Sequence, residues 1–242
     1  MVRYVDSHSG ALSTRFDARI ARASSDKPFR LGVFGGTFDP VHVGHLILAE
    51  AAYAAASLDG VLFIPTGLPV RKMTSCQASA QQRYDMLALA TRDNEHFDLS
   101  RIEIDREGPT YTIDTLRALN ETYGEQARLF FICGKDSTQD LYTWKEAAEI
   151  ARLVTVLDAE RSGLWTEPSV EDSDASSGNV KNNAAHNNDD NKKVSFEIIP
   201  FEMPLIEVSS TCVRKRIKEG KTVRYLIPED VERYIGEHRI YG

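Results

Sequence analysis

The sequence predicts an α/β protein with a doubly wound, mostly parallel sheet and helices on both faces of that sheet. Short apolar segments alternate with segments of helical periodicity along most of the 242 residues. Strand–helix–strand units of this kind connect parallel strands. The first apolar segment also runs into a glycine pair directly before a helix, which is a common position for a ligand in such sheets.

Six strands and six helices follow from this alternation. The predicted strands cover 30–36, 60–67, 96–106, 128–134, 153–158 and 194–202. The predicted helices cover 43–58, 79–92, 112–123, 144–152, 210–220 and 228–238. The last two helices are too few to form a core of their own, so we expect one domain over 29–242 with a small helical C-terminal region.

Two stretches depart from the alternation. Residues 1–28 contain five basic residues, five serines and three aspartates, without the apolar centre of a secretory signal. We expect a loosely ordered extension there, with a short helix around 16–22. Between Thr166 and Lys193, six asparagines, four serines and six acidic residues leave too little apolar surface to offset the chain entropy of folding. We therefore expect a disordered insertion at about 160–194.

The composition argues against several classes of protein. The formal net charge of −7 disfavours a non-specific nucleic-acid binder, since such proteins show a basic excess. No apolar run approaches the roughly 18 residues that span a bilayer. The three cysteines are widely spaced and form no C-x-x-C, which suits a reducing compartment and argues against a disulfide framework. We expect a cytoplasmic protein that binds neither nucleic acid nor membrane.

The stretch GVFGGTFDPVHVGHLILAE, at 32–50, concentrates unusual residues where the first long helix begins. Gly35 and Gly36 let the backbone approach a ligand closely. The helix start supplies unpaired N–H groups and the positive end of a dipole, which together bind anions. His42 and His45 are three residues apart and can project from one side of the first turn. The combination predicts a phosphate-binding site.

A tight turn, a zinc site and a dinucleotide site each account for fewer features of this stretch. A tight turn with surface histidines explains each residue separately. A zinc site needs further ligands, and no cysteine or histidine lies at metal-binding spacing. A dinucleotide-binding dehydrogenase would carry G-x-G-x-x-G, which is absent.

The string GGTFDPVHVGHL resembles the signature of the nucleotidyltransferase superfamily with the H-x-G-H motif. The segments SRIEIDREGPTYTIDTL, FICGKDSTQDLYTW, MPLIEVSSTCVRKRI and RYLIPEDVERYIGEHRIY resemble, in order and spacing, the bacterial nicotinate mononucleotide adenylyltransferases. The resemblance runs from Phe29 to the C-terminus, apart from the insertion. It implies a Rossmann-like fold and the transfer of AMP from ATP to nicotinate mononucleotide, giving deamido-NAD and pyrophosphate in NAD biosynthesis.

The resemblance also implies roles for individual residues. His42, His45 and Arg214 would be catalytic, by holding the ATP phosphates. The rest of the ATP site would comprise Gly35, Gly36, Thr37, Phe38, Gly134, Asp136, Ser209, Ser210 and Thr211, with Asp136 on the ribose. The mononucleotide site would comprise Asp39, Lys72, Tyr111, Thr112 and Trp144. In it Lys72 would face phosphate, Thr112 would offer backbone contacts to the nicotinate carboxylate, and Trp144 would stack on the pyridine ring.

A second anion site follows from chemistry independently of the resemblance. The segment VSSTCVR places hydroxyl and N–H groups at a helix start, with Arg214 one turn further on. Six basic residues and one acidic residue lie between Thr211 and Arg224, a local reversal of the negative net charge. We interpret Lys215, Arg216 and Lys218 as a solvated helix face.

This chain departs from the family pattern in two places besides the insertion. Pro69-Val70-Arg71-Lys72 stands where the family reads P-P-H-K, so an arginine replaces the histidine while positive charge is kept. Lys135 stands where the family has a small residue.

The implied chemistry requires no acid–base pair, because the attacking phosphate oxygen is ionised at neutral pH. Catalysis then consists of bringing two anions together in line and stabilising the charge that moves onto pyrophosphate. No metal site is expected in the chain, and Mg²⁺ is expected on the ATP phosphates, since it retains waters and seldom needs an all-protein site.

Three alternatives stay open from the sequence. The acceptor is nicotinamide mononucleotide, or it is another phosphorylated molecule such as phosphopantetheine, or the chain is a non-enzymatic nucleotide sensor. Class I aminoacyl-tRNA synthetases also combine an H-x-G-H-like motif with adenylyl chemistry, and 72–75 resembles their K-M-S-K-S loop. That loop would lie only 27 residues after His45, and 242 residues leave little room for a tRNA-binding domain.

Overall fold

The computed structural model describes residues 14–69, 76–134, 138, 140–162, 186–187 and 193–242. Its main sheet consists of β1 Phe29–Gly36, β2 Gly60–Pro65, β4 Phe97–Leu99, β6 Ala127–Gly134, β7 Val154–Ser162 and β10 Ile198–Pro204. Two short pairs lie outside it, β3 Leu68–Pro69 with β5 Pro109–Thr110, and β8 His186–Asn187 with β9 Lys193–Val194. The helices are α1 Asp17–Ile20, α2 Val43–Ala55, α3 Ala80–Thr91, α4 Thr112–Tyr123, α5 Ala147–Leu153, α6 Ser210–Lys218 and α7 Glu229–Glu237.

The strand order of the main sheet is β10-β7-β6-β1-β2-β4, and every neighbouring pair is parallel. Numbered along the chain and started from β4, these strands read 3-2-1-4-5-6, the doubly wound order of Rossmann folds. The order reverses between β1 and β6, and ligands of such sheets bind at the carboxyl ends of the strands at this point. The predicted fold class is confirmed.

Helices cover both faces of the sheet because successive strand residues point to opposite sides. In β2, Val61 and Phe63 belong to the core beneath α2, α3, α6 and α7. Leu62 and Ile64 belong to the core on the other face, beneath α1, α4 and α5. All four side chains are 1% exposed or less, as expected for a parallel strand buried on both faces.

The predicted elements match the observed ones with two exceptions. The strand predicted over 96–106 ends at Leu99, because the Ile104 and Asp105 amides turn back onto the carbonyl of Arg101. The strand predicted over 194–202 is divided, and only β10 joins the main sheet. Both segments alternate in hydrophobicity, but alternation alone does not show which residues form backbone hydrogen bonds with a neighbouring strand.

Residues 14–28, which we expected to be loosely ordered, pack against the sheet. Phe16 and Ile20 are each 1% exposed, and the Phe16 ring lies 5.6 Å from that of Phe29. The ring also occupies the space in which a side chain at Gly60 would lie. The predicted helix around 16–22 appears as α1. The two apolar side chains thus anchor this polar segment together with the hydrogen bonds that the Arg15 amide donates to Asp98 and the Tyr123 hydroxyl donates to Asp17.

Residues 1–13 of the predicted extension and most of the predicted insertion lie outside the described residues. Within the insertion expected at about 160–194, the structure describes only 160–162, 186–187 and 193–194. In the part of the chain that is described, no helix is long and apolar enough to cross a membrane.

Candidate active site

Two cavities open where the strand order reverses, at the carboxyl ends of β1 and β6. The first has a volume of about 610 Å³ and lies between the starts of α2 and α6. The second has a volume of about 560 Å³ and lies beside α4 and α5. Thr37, the residue after β1, lines both cavities. The chain therefore places two ligand-sized spaces side by side at one strand end.

The turn after β1 is held by aromatic packing. Phe38 has a φ of 50°, which is uncommon for a residue with a side chain. Its ring packs edge-on against Phe34 at 5.4 Å and against His45 at 5.0 Å. A Cβ on Gly36 would lie 2.8 Å from the same ring, so glycine is required there. The buried ring thus fixes a backbone turn that leaves Thr37 at the cavities.

The two histidines stand at the start of α2 as a stacked pair. His42 is the N-cap residue, and its ring lies 3.7 Å from that of His45 at an angle of 20°. The His42 backbone N–H donates to Nδ1 of His45 at 3.2 Å. Since Nδ1 of His45 accepts this bond, the ring proton of neutral His45 resides on Nε2, which is left to serve as a donor.

Burial keeps both histidines neutral in the free protein. It lowers the pKa of His42 from 6.5 to about 4. The pKa of His45 is lowered well below 6.5, first by burial and then by the neighbouring His42. In the unliganded site the two rings are therefore not cations. They are neutral N–H donors there, because a charged imidazole would lose its hydration.

The start of α6 forms the opposite wall of the first cavity. Ser209 caps the helix, its hydroxyl accepting from the Cys212 amide at 3.2 Å. The Ser210 hydroxyl donates to the Pro40 carbonyl at 2.8 Å, which ties α6 to the loop before α2. The Arg214 guanidinium donates to the Asp39 carbonyl at 2.6 Å and to the Thr211 hydroxyl at 3.3 Å. This side chain is 16% exposed, so its charge lies at the cavity wall.

The Asp39 carboxylate lies buried behind the first cavity and is held by several hydrogen-bond donors. It accepts hydrogen bonds from the Gln77 amide at 2.9 Å, the Ala78 amide at 3.1 Å and the Tyr241 hydroxyl at 2.6 Å. Arg214 lies 3.8 Å from it, and Asp39 is 3% exposed. A carboxylate so fully bonded has little capacity left for a ligand. Its contacts favour a positioning role over the predicted role in binding the mononucleotide.

The second cavity combines aromatic groups, hydroxyls and one buried carboxyl. Trp144 packs edge-on against Phe131 at 5.8 Å, and its Nε1 has no partner among the described residues. The Lys145 ammonium lies 4.3 Å from the centre of the Tyr111 ring. Glu103 is 8% exposed and accepts from the Thr115 hydroxyl at 2.9 Å. Burial raises the pKa of Glu103, against hydrogen bonding from Thr115.

Every predicted site residue that the structure describes lines one of the two cavities. The first cavity is lined by Thr37, Phe38, Asp39, His42, His45, Gly134, Ser209, Ser210, Thr211 and Arg214. The second is lined by Gly35, Gly36, Thr37, Tyr111, Thr112 and Trp144. Gly35 and Gly36 thus line the second cavity and not the first, where the two histidines and Arg214 lie. Lys72, Asp136 and the departures Arg71 and Lys135 lie outside the described residues.

Sequence reasoning missed the apolar lining of the first cavity and several groups of the second. The missed residues include Leu48, Ala159, Met203, Ile206 and Val208 in the first cavity. In the second they include Thr66, Glu103, Thr110, Thr115 and Lys145. The residues in and after the ends of β7 and β10 could have been found by the rule that strand ends line the site. Glu103 could not, because it lay in a predicted strand.

The described residues offer no protein cage for a metal ion. No three histidine, cysteine, aspartate or glutamate side chains converge in that part of the chain. Asp39, the buried carboxylate at the first cavity, is already occupied by three donors. This donor set fits a cation that arrives with the phosphates of a ligand and keeps its waters.

Comparisons with known proteins agree with this architecture. Residues 33–216 match the model of the cytidylyltransferase-like family. A relative from Thermoanaerobacter sp. (strain X514), named "Probable nicotinate-nucleotide adenylyltransferase", is 39% identical over 216 residues, covering 89% of this chain and 96% of the relative. A relative of the same name from Thermus thermophilus is 37% identical over 212 residues, covering 88% and 99%. A Plasmodium falciparum nicotinic acid mononucleotide adenylyltransferase complexed with NaAD shares the fold, with a TM-score of 0.64, 15% identity and coverage of 88% and 97%.

Proposed function

Because this chain belongs to the cytidylyltransferase-like family and resembles its nicotinate-nucleotide adenylyltransferases over most of its length, we propose that it transfers AMP from ATP to nicotinate mononucleotide. The products are deamido-NAD and pyrophosphate. The observation that carries the proposal is the pair of cavities that meet at Thr37. A reaction between two bound anions needs two adjacent sites whose reacting ends face each other.

The first cavity suits ATP. Its polar end holds the starts of α2 and α6, two sets of backbone N–H groups that bind phosphate oxygens. Its apolar part, lined by Leu48, Ala159, Met203, Ile206 and Val208, is suited to a purine ring. The triphosphate then lies between the histidine pair and Arg214.

The second cavity suits a pyridine mononucleotide. Trp144 presents an aromatic face against which a flat ring stacks. Thr112 begins α4, so its backbone N–H is available to a carboxylate on that ring. Lys145 stands at the same wall, but its ammonium lies 3.8 Å from the Asp114 carboxylate and 3.9 Å from the Glu146 carboxylate, so its charge is already paired. The support for nicotinate over nicotinamide is therefore the backbone N–H at the start of α4.

The reaction proceeds without a protein base. The acceptor phosphate carries an ionised oxygen that attacks the α-phosphorus of ATP, the bond to the bridging oxygen breaks, and pyrophosphate leaves with the electron pair. A histidine whose pKa is about 4 is a weak base, so proton abstraction by His42 would gain little. His42 and His45 instead donate hydrogen bonds to phosphate oxygens, and Arg214 offsets the charge that develops on pyrophosphate.

Mg²⁺ fits this site as a companion of ATP. When bound to the phosphates it would supply additional positive charge to the leaving group. Among the described residues we assign no ligand to this ion. The Asp39 carboxylate at the first cavity is already held by its own donors, so it does not compete with the phosphates for the ion.

We also propose a cytoplasmic location. The support is the chemistry of Cys76, Cys133 and Cys212, all of which are unpaired thiols. Fractionation of the source cells checks this placement.

The experiment that tests the function is a pyrophosphate-release assay with ATP, Mg²⁺ and one of two acceptors. Release with nicotinate mononucleotide that exceeds release with nicotinamide mononucleotide supports the proposal. Release only with another phosphorylated acceptor, such as phosphopantetheine, would overturn the choice of substrate. Tight ATP binding with no release in any mixture would identify a nucleotide sensor.

A further inference from the structure

Arg83 is a fully buried cation directly behind the junction of the two cavities. It lies in α3 and is 2% exposed. Its Nη1 donates to the carbonyl oxygen of Thr37 at 2.8 Å. Its Nη2 donates to the carbonyl oxygens of Thr66 at 2.6 Å and Gly67 at 3.2 Å.

The three carbonyl groups belong to the ends of two neighbouring strands. Thr37 follows β1 and lines both cavities, whereas Thr66 follows β2 and lines the second cavity. The same strand ends are joined directly, since the Thr66 amide and hydroxyl both donate to the Gly36 carbonyl, at 2.9 and 3.2 Å. One guanidinium therefore fixes the backbone on both sides of the point where the two ligands meet.

The planar fork of arginine suits this position. Its N–H groups point in fixed directions and reach separate carbonyls at once, which the compact ammonium of lysine does not reproduce. A buried cation is costly, and here neutral carbonyls offset part of that cost. The negative charges of Asp39 and Glu103 also favour the ionised guanidinium, but among the described residues no carboxylate forms an ion pair with it. Its direct contacts are with the backbone of the two strand ends.

We propose that Arg83 is a positioning residue that sets the distance between the two bound substrates. It touches neither ligand, and it acts through Thr37 and Thr66. The inference rests on the proposed function, because it takes the first cavity as the ATP site and the second as the acceptor site. A displacement of about 1 Å between reacting groups costs roughly 10²-fold in rate. A change in the spacing of the two cavities alone leaves the residues that line each cavity unchanged.

Binding of the product, deamido-NAD, distinguishes a changed spacing of the two cavities from general damage to the structure. This product fills both cavities at once, whereas ATP and nicotinate mononucleotide each fill one. In Arg83→Lys we expect the dissociation constant of deamido-NAD to rise about 10-fold or more, with those of the two substrates changed less than about 3-fold. We expect kcat to fall roughly 10²-fold. Calorimetry with each of the three molecules and a pyrophosphate assay measure these effects.

Arg30→Lys is the matched control. The Arg30 guanidinium donates to the Ala56 carbonyl at 2.8 and 3.1 Å, but it lies at the opposite end of β1 from the cavities. This variant also loses an arginine fork, and we expect its three dissociation constants and its kcat to stay within about 2-fold of the unmodified chain. The proposal would be overturned if Arg83→Lys raised the dissociation constants of all three ligands equally, or if it left the affinity for deamido-NAD unchanged.

Thr66→Val keeps the proposal testable if Arg83→Lys does not fold. The Thr66 hydroxyl donates its hydrogen to the Gly36 carbonyl, so it is not available as a donor to a ligand. Removing this hydroxyl loosens the contact between the two strand ends without removing a hydrogen bond to the ligand. We expect a selective loss of deamido-NAD affinity of about 3-fold, and the absence of any selective loss contradicts the inference. If the unmodified chain binds deamido-NAD but releases no pyrophosphate, the proposed function fails while the positioning role is still measured by binding.

Discussion

The two walls of the first cavity, which we propose to hold the same phosphates, differ in burial and in charge. The wall at α2 is buried and neutral: His42 is 6% exposed, and burial depresses the pKa of both histidines. The wall at α6 is polar and more open: Ser209 and Thr211 are exposed, and Arg214 carries a permanent charge. One wall thus offers fixed hydrogen-bond donors and the other offers charge.

The difference has a physical basis in the cost of desolvation. A charged imidazole in the buried wall would lose its hydration, so this wall works with N–H dipoles whose positions are fixed by stacking and by a backbone bond. An arginine keeps its charge in nearly any environment and can stand at a partly open wall. Fixed dipoles act on the transition state without reorganisation, whereas the charge attracts the triphosphate from a distance.

The largest expected effect comes from the buried wall. His45→Ala removes a fixed donor from the phosphates, and we expect kcat to fall by roughly 10²–10³. Pyrophosphate release at saturating ATP measures it. His96→Ala is the control, since this ring is also stacked, on Tyr53 at 4.2 Å, but precedes β4 at the other end of the sheet. Near-normal turnover of a folded His45→Ala protein would remove the histidine pair from the mechanism.

The charged wall is tested by Arg214→Gln. The amide can keep a bond to the Asp39 carbonyl but carries no charge, and hydrogen bonds to charged groups are worth about 1.5–3 kcal/mol. We therefore expect kcat/KM for ATP to fall roughly 10- to 10²-fold. The salt dependence of kcat/KM should weaken in this variant and persist in His45→Ala.

Arg216→Gln is the control for that effect. Arg216 lies on the same helix, and its guanidinium donates to the Thr222 carbonyl, away from the cavity. We expect no more than a 2-fold change in it. An equal loss in both variants would mean that the helix as a whole, and not Arg214, supplies the charge.

The neutrality of the buried wall predicts a pH effect on stability. The pKa of His42 is about 4 in the folded chain and 6.5 when unfolded, so the unfolded state binds more protons between these values. Stability therefore falls as the pH is lowered through that window. The loss for His42 should be roughly 1–2 kcal/mol between pH 7 and pH 5.

Urea denaturation at both pH values checks this prediction. His42→Gln cannot take up the proton and should lose correspondingly less stability on acidification. If the chain and this variant respond equally to pH, the folded histidine is not neutral, and the contrast between the two walls fails.

The sequence predicted the positions of both walls but not their charge states. The glycine pair, the histidine spacing and the hydroxyls before α6 are local signals, and local signals identify helix starts. The pKa of a histidine depends on what covers it, and His45 packs against the rings of Phe34 in β1 and Phe38 in the following turn, contacts that the sequence pattern does not show. Burial of that kind is a property of the packed chain.

Two further residues show the same limit. Arg83 lies in a helix that the sequence predicted correctly, yet an arginine on a helix is ordinarily solvated, and only the packed structure brings three carbonyls to it. The resemblance to the family implied that Asp39 binds the mononucleotide. Its donors come from the segment before α3 and from the C-terminus, which no local pattern connects.

The smallest effect on catalysis that we expect comes from the contact that links the two walls. The Tyr241 hydroxyl donates to the Asp39 carboxylate at 2.6 Å, and Asp39 in turn binds Arg214 through its carbonyl. Tyr241→Phe leaves the carboxylate its two amide donors but removes one hydrogen bond to a charged group, so we expect the free energy of unfolding to fall by about 1.5–3 kcal/mol, or Tm by roughly 3–12 °C. Because both walls stay in place, kcat/KM should change less than about 3-fold. Tyr225→Phe, at a residue that is 82% exposed, should change neither quantity. A large loss of kcat/KM in Tyr241→Phe at unchanged Tm would instead mean that the two walls act as one unit whose spacing is set from the C-terminus.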